Sequence, residues 1–145
     1  MEERQQDIRH LFVYASLRSG FHNPAYRYIS DFFISEGEAI TAGCFYDRGN
    51  YPVAIPNTEG RHILGELYQI KDPASFPWVL NQLDDYEGLN TEPGEASPYR
   101  RAITTVMILG KPVDAWVYWY NGDTTGLPVI QTGDILHYLQ GLHKP

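Results

Sequence analysis

The chain has 145 residues, which corresponds to a single domain spanning 1–145. A chain of this length buries about 68–70% of its unfolded surface and can support one core without disulfides or metals. With 43% hydrophobic and 20% charged residues it is expected to fold, and its formal net charge of -7 excludes a phosphate-backbone binder.

A lone cysteine, Cys44, rules out an internal disulfide and a cysteine-rich metal site. The start, MEERQQDIRH, is polar and carries no apolar core, so no signal peptide is expected and residues 1–9 read as loosely ordered. No apolar run is long enough to cross a bilayer. A cytoplasmic protein without nucleic-acid or membrane partners is the expectation, and its oligomeric state is left open.

In chain order, His10–Leu17 alternates Leu11, Val13 and Ala15 on one face with Phe12 and Tyr14 on the other. Both faces are apolar, as in a strand buried on two sides. Asn23-Pro24 reads as a cap and first turn, opening an amphipathic helix that ends near Glu36-Gly37. Residues 38–46 form a strand, 51–56 an extended segment with two prolines, and 62–70 another strand. A helix begins at Asp72-Pro73 or Ser75 and runs to Tyr86 or Glu87; Pro77 fits only in the first turn, which favours Ser75 as the cap. After a loop at 89–97, strands at 98–109 and 113–120 form a hairpin around Gly110-Lys111-Pro112. Residues 132–139 read as a short terminal helix.

Only the first crossover suits a parallel pair. The fold expected is α+β: a mixed, largely antiparallel curled sheet or closed β-barrel with flanking helices.

Phe76, Leu80, Leu83 and Glu87 recur at spacings of four, three and four, which puts them on one stripe of a helix. Glu87 is thus a carboxylate at the end of an apolar face, with Gly88 as the stop. Low-dielectric surroundings and the negative helix end both raise a carboxyl pKa towards neutrality, where a general acid/base works. Taken by the helix alone, the competing reading is a glutamate in a frayed last turn, reaching solvent. Asp84 lies off the stripe and reads as exposed, with pairing or loop-fixing roles as alternatives. The strand end Tyr14-Ala15-Ser16-Leu17 offers backbone N–H groups to a ligand oxygen, or is a plain strand end. Arg100 and Arg101 are candidates for a bidentate contact with a substrate carboxylate, Arg101 being preferred. Cys44 reads as a buried core thiol, and the five histidines lack metal-ligand spacing.

Val-Tyr-Ala-Ser-Leu-Arg at 13–18 resembles the VYGSLR-type signature of γ-glutamyl cyclotransferase-like (AIG2-like) proteins. Leu83-Asp84-Asp85-Tyr86-Glu87-Gly88 is similar to that family's L-D-x-x-E-G segment. Gly43–Tyr46, Tyr51-Pro52-Val53, Gly65-Glu66-Leu67-Tyr68, Tyr99-Arg100-Arg101 and Ala115–Tyr118 match further segments in family order, so the resemblance covers roughly 11–120. It implies that Glu87 is catalytic and that Tyr14, Ala15, Ser16, Leu17, Tyr118 and Arg101 bind substrate. It implies release of 5-oxoproline from a small-molecule γ-glutamyl amine or amino acid by intramolecular aminolysis, with no metal or organic cofactor. Ala15 departs from the family's glycine: its methyl group costs something if the position needs a positive φ or close ligand approach, and it either narrows the site or is a tolerated variant. A non-catalytic binding module on the same fold is the alternative. An interaction protein using exposed aromatics such as Trp78, Trp116 or Trp119 is a third reading.

Overall fold

A computed structural model of the chain describes residues 8–14, 26–48, 52–57, 59–89 and 97–134. The elements in chain order are β1 (His10–Val13), α1 (Tyr26–Phe32), β2 (Phe33–Asp47), β3 (Pro52–Pro56) and β4 (His62–Ile70). A 3-10 turn at Pro73–Ser75 leads into α2 (Phe76–Glu87), followed by β5 (Tyr99–Ile108), β6 (Lys111–Tyr120) and β7 (Val129–Ile130).

Strand order is β3-β2-β4-β1-β6-β5, and the Ile40–Met107 bridge between β2 and β5 closes the sheet. Five strands (β2, β4, β1, β6 and β5) therefore form a barrel, while β3 and β7 pair with the far half of the long strand β2. The mixed, mainly antiparallel barrel with flanking helices agrees with the sequence expectation.

Both faces of β1 are buried, as its alternation predicts. Leu11 and Val13 pack outward with Ile29, Phe33, Val79, Leu80 and Leu83, beneath the helices. Phe12 and Tyr14 point inward with Phe45, Leu67, Val117 and Trp119. Cys44 is buried, as expected of a core thiol.

Four local features differ from the sequence reading. First, the parallel partner of β1 is β6, through Leu11–Trp116 and Phe12–Val117, and not the strand after the first crossover. Second, α1 ends at Phe32, not near Gly37. Phe33 and Ile34 pair with Ile70 and Gln69, and the ladder resumes after a register shift between Ser35 and Gly37, which has φ 109. Side chains that pack well on a sheet override a helical periodicity there, and glycine supplies the bulge. Third, the hairpin turns at Leu109-Gly110, both at positive φ, rather than at Gly110-Lys111-Pro112. Fourth, Thr132–Asp134 is not helical: Leu64 N–H donates to the Gly133 carbonyl, drawing this segment along β4. The remainder of that expected helix lies outside the described residues.

Ser75 is the N-cap residue of α2, as expected, but makes no side-chain capping bond; Asp72 caps the preceding 3-10 turn, accepting from the Ala74 N–H at 3.1 Å. Ser75 Oγ instead donates to the Asp72 carbonyl at 2.8 Å.

Candidate active site

The stripe on α2 buries Phe76, Val79, Leu80 and Leu83 against the outer face of β1, leaving Trp78 and Asp85 exposed. Glu87 continues that stripe at the helix end and is part-buried. The end is ordered rather than frayed. Gly88, at φ 83, donates its N–H to the Asp85 carbonyl at 3.2 Å, and Leu89 donates to the Asp84 carbonyl at 2.9 Å. These two bonds form a Schellman motif, and Leu89 packs back on the outer core as that motif favours.

Burial pushes the Glu87 carboxyl up to about 7. Among the described residues it has no hydrogen-bond or ion-pair partner, so nothing there compensates the lost hydration of the anion. A carboxyl poised in this way can take and return a proton near neutrality.

Tyr14 directly follows β1. Its phenol, held well above the usual range by burial and then by Tyr99 and Glu87, donates to the Tyr118 carbonyl. Its ring lies 5.9 Å from Trp119 and 5.6 Å from Phe45. Tyr118, on β6, also has its phenol held high, chiefly by burial and then by the bond its hydroxyl donates to Asp84 Oδ1 at 2.6 Å. Glu87 raises both phenols through its charge, so Tyr14, Tyr118 and Glu87 gather at one end of the barrel. Ala15, Ser16 and Leu17 continue from Tyr14 but lie outside the described residues, as does the 90–96 loop.

Arg101 lies on β5 directly across from Tyr118. Its guanidinium grips Asp84 with two bonds, Nε to Oδ1 at 2.7 Å and Nη2 to Oδ2 at 2.9 Å. It also stacks on Trp116 at 4.3 Å. Of the two arginines, Arg100 is exposed, whereas Arg101 is part-buried on the outer face of the barrel, against α2. Its charge is met by a carboxylate of the protein itself.

The sequence reading missed Asp84, which is not exposed: 13% of its side chain is accessible and it anchors Arg101 and Tyr118 together. It also missed Trp116 as the plate under Arg101. Asp84 lies off the apolar stripe, which is why it reads as exposed, and the misplaced hairpin turn hid its partners on β5 and β6. Counted from Leu109-Gly110, Arg101 falls opposite Tyr118; counted from the expected turn, it falls opposite Asn121.

The barrel thus carries, at the end of a helix, one desolvated carboxyl able to exchange a proton near neutrality. The chain belongs to the γ-glutamyl cyclotransferase, AIG2-like family, whose model matches residues 11–137. It is 32% identical over 130 residues to the gamma-glutamylcyclotransferase family protein YtfP of Escherichia coli, covering 87% of this chain and 95% of that one. The solution structure of YtfP superposes with a TM-score of 0.57 at 27% identity, over 89% of this chain and 97% of that one. An AIG2-like protein of Mus musculus superposes with a TM-score of 0.62 at 24% identity, over 86% and 87% of the two chains. YkqA of Bacillus subtilis superposes at 0.66 with 22% identity; 94% of this chain is covered, but only 43% of YkqA. In the last two the likeness is one of fold.

Proposed function

We propose that the protein is a γ-glutamyl cyclotransferase that releases 5-oxoproline from a γ-glutamyl amine or amino acid, with Glu87 as its general acid/base. The observation that carries this reading is the Glu87 carboxyl, raised by burial to about 7 beside the end of β1. Family membership supports it independently.

In the proposed step the substrate's α-amine attacks its own γ-carbonyl carbon. A ring C–N bond forms and the bond from that carbon to the leaving nitrogen breaks. Glu87 takes the proton from the attacking nitrogen and returns it to the leaving amine, so no net proton is consumed. Nucleophile and carbonyl belong to one molecule, and the protein's task is to hold it folded back on itself. Backbone N–H groups of Ala15, Ser16 and Leu17 are assigned to the oxyanion and the substrate's polar groups. Tyr14 and Tyr118 are assigned to the wall beside them. Arg101 is assigned to the site through Asp84 rather than as a free cation for substrate.

The test is incubation with a panel of γ-glutamyl amino acids and amines, following 5-oxoproline. Turnover that disappears in Glu87→Gln supports the reading. Full turnover in that variant would remove Glu87 from the mechanism. A second reading, a binding module without catalysis, draws on Ala15 in place of the family's glycine. It predicts no turnover of any γ-glutamyl compound, together with thermal stabilisation by one of them.

A further inference from the structure

The Arg101–Tyr118 rung of the β5–β6 hairpin meets α2 at one carboxylate, Asp84, one helical turn before Glu87. We propose that the Asp84–Arg101 ion pair, tied to Tyr118, is a positioning device for Glu87. It pins the last turn of α2 to the hairpin and keeps the net charge beside the reacting carboxyl at zero. This inference rests on reading Glu87 as the acid/base.

Three observations carry it. The first is geometric: Asp84 holds the hairpin through both carboxylate oxygens and holds the helix end through its carbonyl, which accepts from Leu89. One residue therefore joins the two elements that place Glu87. The second is rigidity. Arg101 is fixed by two parallel bonds and by the Trp116 ring, a planar fit that a lysine cannot reproduce. The third is charge. The Tyr118 phenol feels Asp84, Arg101 and Glu87 together, which sets all three around one hydroxyl.

Among the described residues, the other groups around Glu87 do not take over this charge balance. Tyr14 from β1 and Tyr118 from β6 are both held high and stay neutral where Glu87 titrates. Tyr99 on β5 acts on Tyr14, and Asp85 on α2 is exposed. Among the described residues, Asp84 and Arg101 are the charges of opposite sign that converge with Glu87 on the Tyr118 hydroxyl. Removing either leaves the other uncompensated, and the two removals act on Glu87 with opposite sign.

The test uses Asp84→Asn, Arg101→Met, the two combined, and Arg101→Lys. Each is read by the carboxyl-carbon NMR titration of Glu87 in the substrate-free protein and by kcat and KM against pH. Asp84→Asn leaves a bare cation and moves the Glu87 midpoint down. Arg101→Met leaves a bare anion and moves it up, each by about half a pH unit or more. The double variant returns close to the wild-type midpoint. Arg101→Lys keeps the charge and the midpoint, while the lost planar fit lowers kcat roughly 10-fold with KM little changed. Asp84→Asn and Arg101→Lys preserve shape or charge, so they decide the matter if Arg101→Met does not fold. A midpoint that stays at the wild-type value in Asp84→Asn, or midpoints that move the same way in both charge-removing variants, overturn the proposal in favour of a merely structural pair. The titration needs no substrate: absence of turnover would sink the cyclotransferase reading and still leave this one to be decided.

Discussion

Asp84 and Glu87 are two carboxylates one helical turn apart on α2, yet their surroundings are opposite. Asp84 is gripped by Arg101 and accepts from Tyr118, whereas Glu87 is desolvated and pushed up to about 7. Environments that differ in this way commit one carboxylate to its partners and leave the other able to exchange a proton. The consequences are measurable.

Glu87→Gln keeps the shape of the side chain and removes the exchangeable proton. Turnover of a γ-glutamyl substrate is expected to fall roughly 10²–10⁴-fold, the usual contribution of a general acid/base. Circular dichroism should be unchanged. Residual activity within a few-fold of wild type would contradict the assignment.

The same carboxyl sets a pH dependence of activity. As a base it must be ionised in the free enzyme, so kcat/KM should rise with pH along a limb centred at about 7. A limb centred at the ordinary carboxylate range would show that Glu87 is not the titrating base.

Stability should run the other way. The folded protein holds the Glu87 proton up to about 7, whereas the unfolded chain releases it near the ordinary 4.5. Between those values the folded state binds more protons, so stability is full below about 4.5 and declines as pH rises through 7. Allowing for solvent screening, the loss is about 1–3 kcal/mol. Urea denaturation of wild type and Glu87→Gln at pH 4.5 and pH 8 measures it; the difference between the two proteins should widen at the higher pH in favour of the variant.

Gly65 on β4 transmits a packing requirement to the site. A Cβ there would overlap the Val13 carbonyl oxygen and stand 2.6 Å from the Phe12 ring. Gly65→Ala should therefore cost about 3 kcal/mol and displace the strand that delivers Tyr14. A denaturation midpoint equal to wild type would argue against this close approach.

Leu109 offers the converse. It is 94% exposed and sits at φ 51 ahead of Gly110 in a two-residue hairpin turn. Asparagine tolerates that conformation better, so Leu109→Asn should raise stability by about 0.5–1 kcal/mol without changing activity. Thermal unfolding would check it.

Local periodicity made much of this molecule legible. The stripe Phe76–Leu80–Leu83–Glu87 follows from helical spacing alone, and Gly88 marks the helix end in the sequence as it does in the structure. The double-sided alternation of β1 likewise announced a strand buried on both faces. These features depend on neighbours within a few residues, so sequence order is enough to define them.

What lay beyond the sequence was decided by contacts between distant segments. Phe33 and Ile34 could extend a helix until β4 offered them partners. The environment of Glu87 had the same origin. Its helix position was set by spacing, but its desolvation required β1 and the hairpin to close around it, and Asp84 became an anchor only once Arg101 and Tyr118 fell opposite each other. The sequence by itself determined which carboxylate stands at the end of the apolar face. Only the tertiary structure decided which of the two neighbouring carboxylates is paired and which is free to move a proton, because dielectric and charge compensation belong to the assembled surroundings and not to the chain.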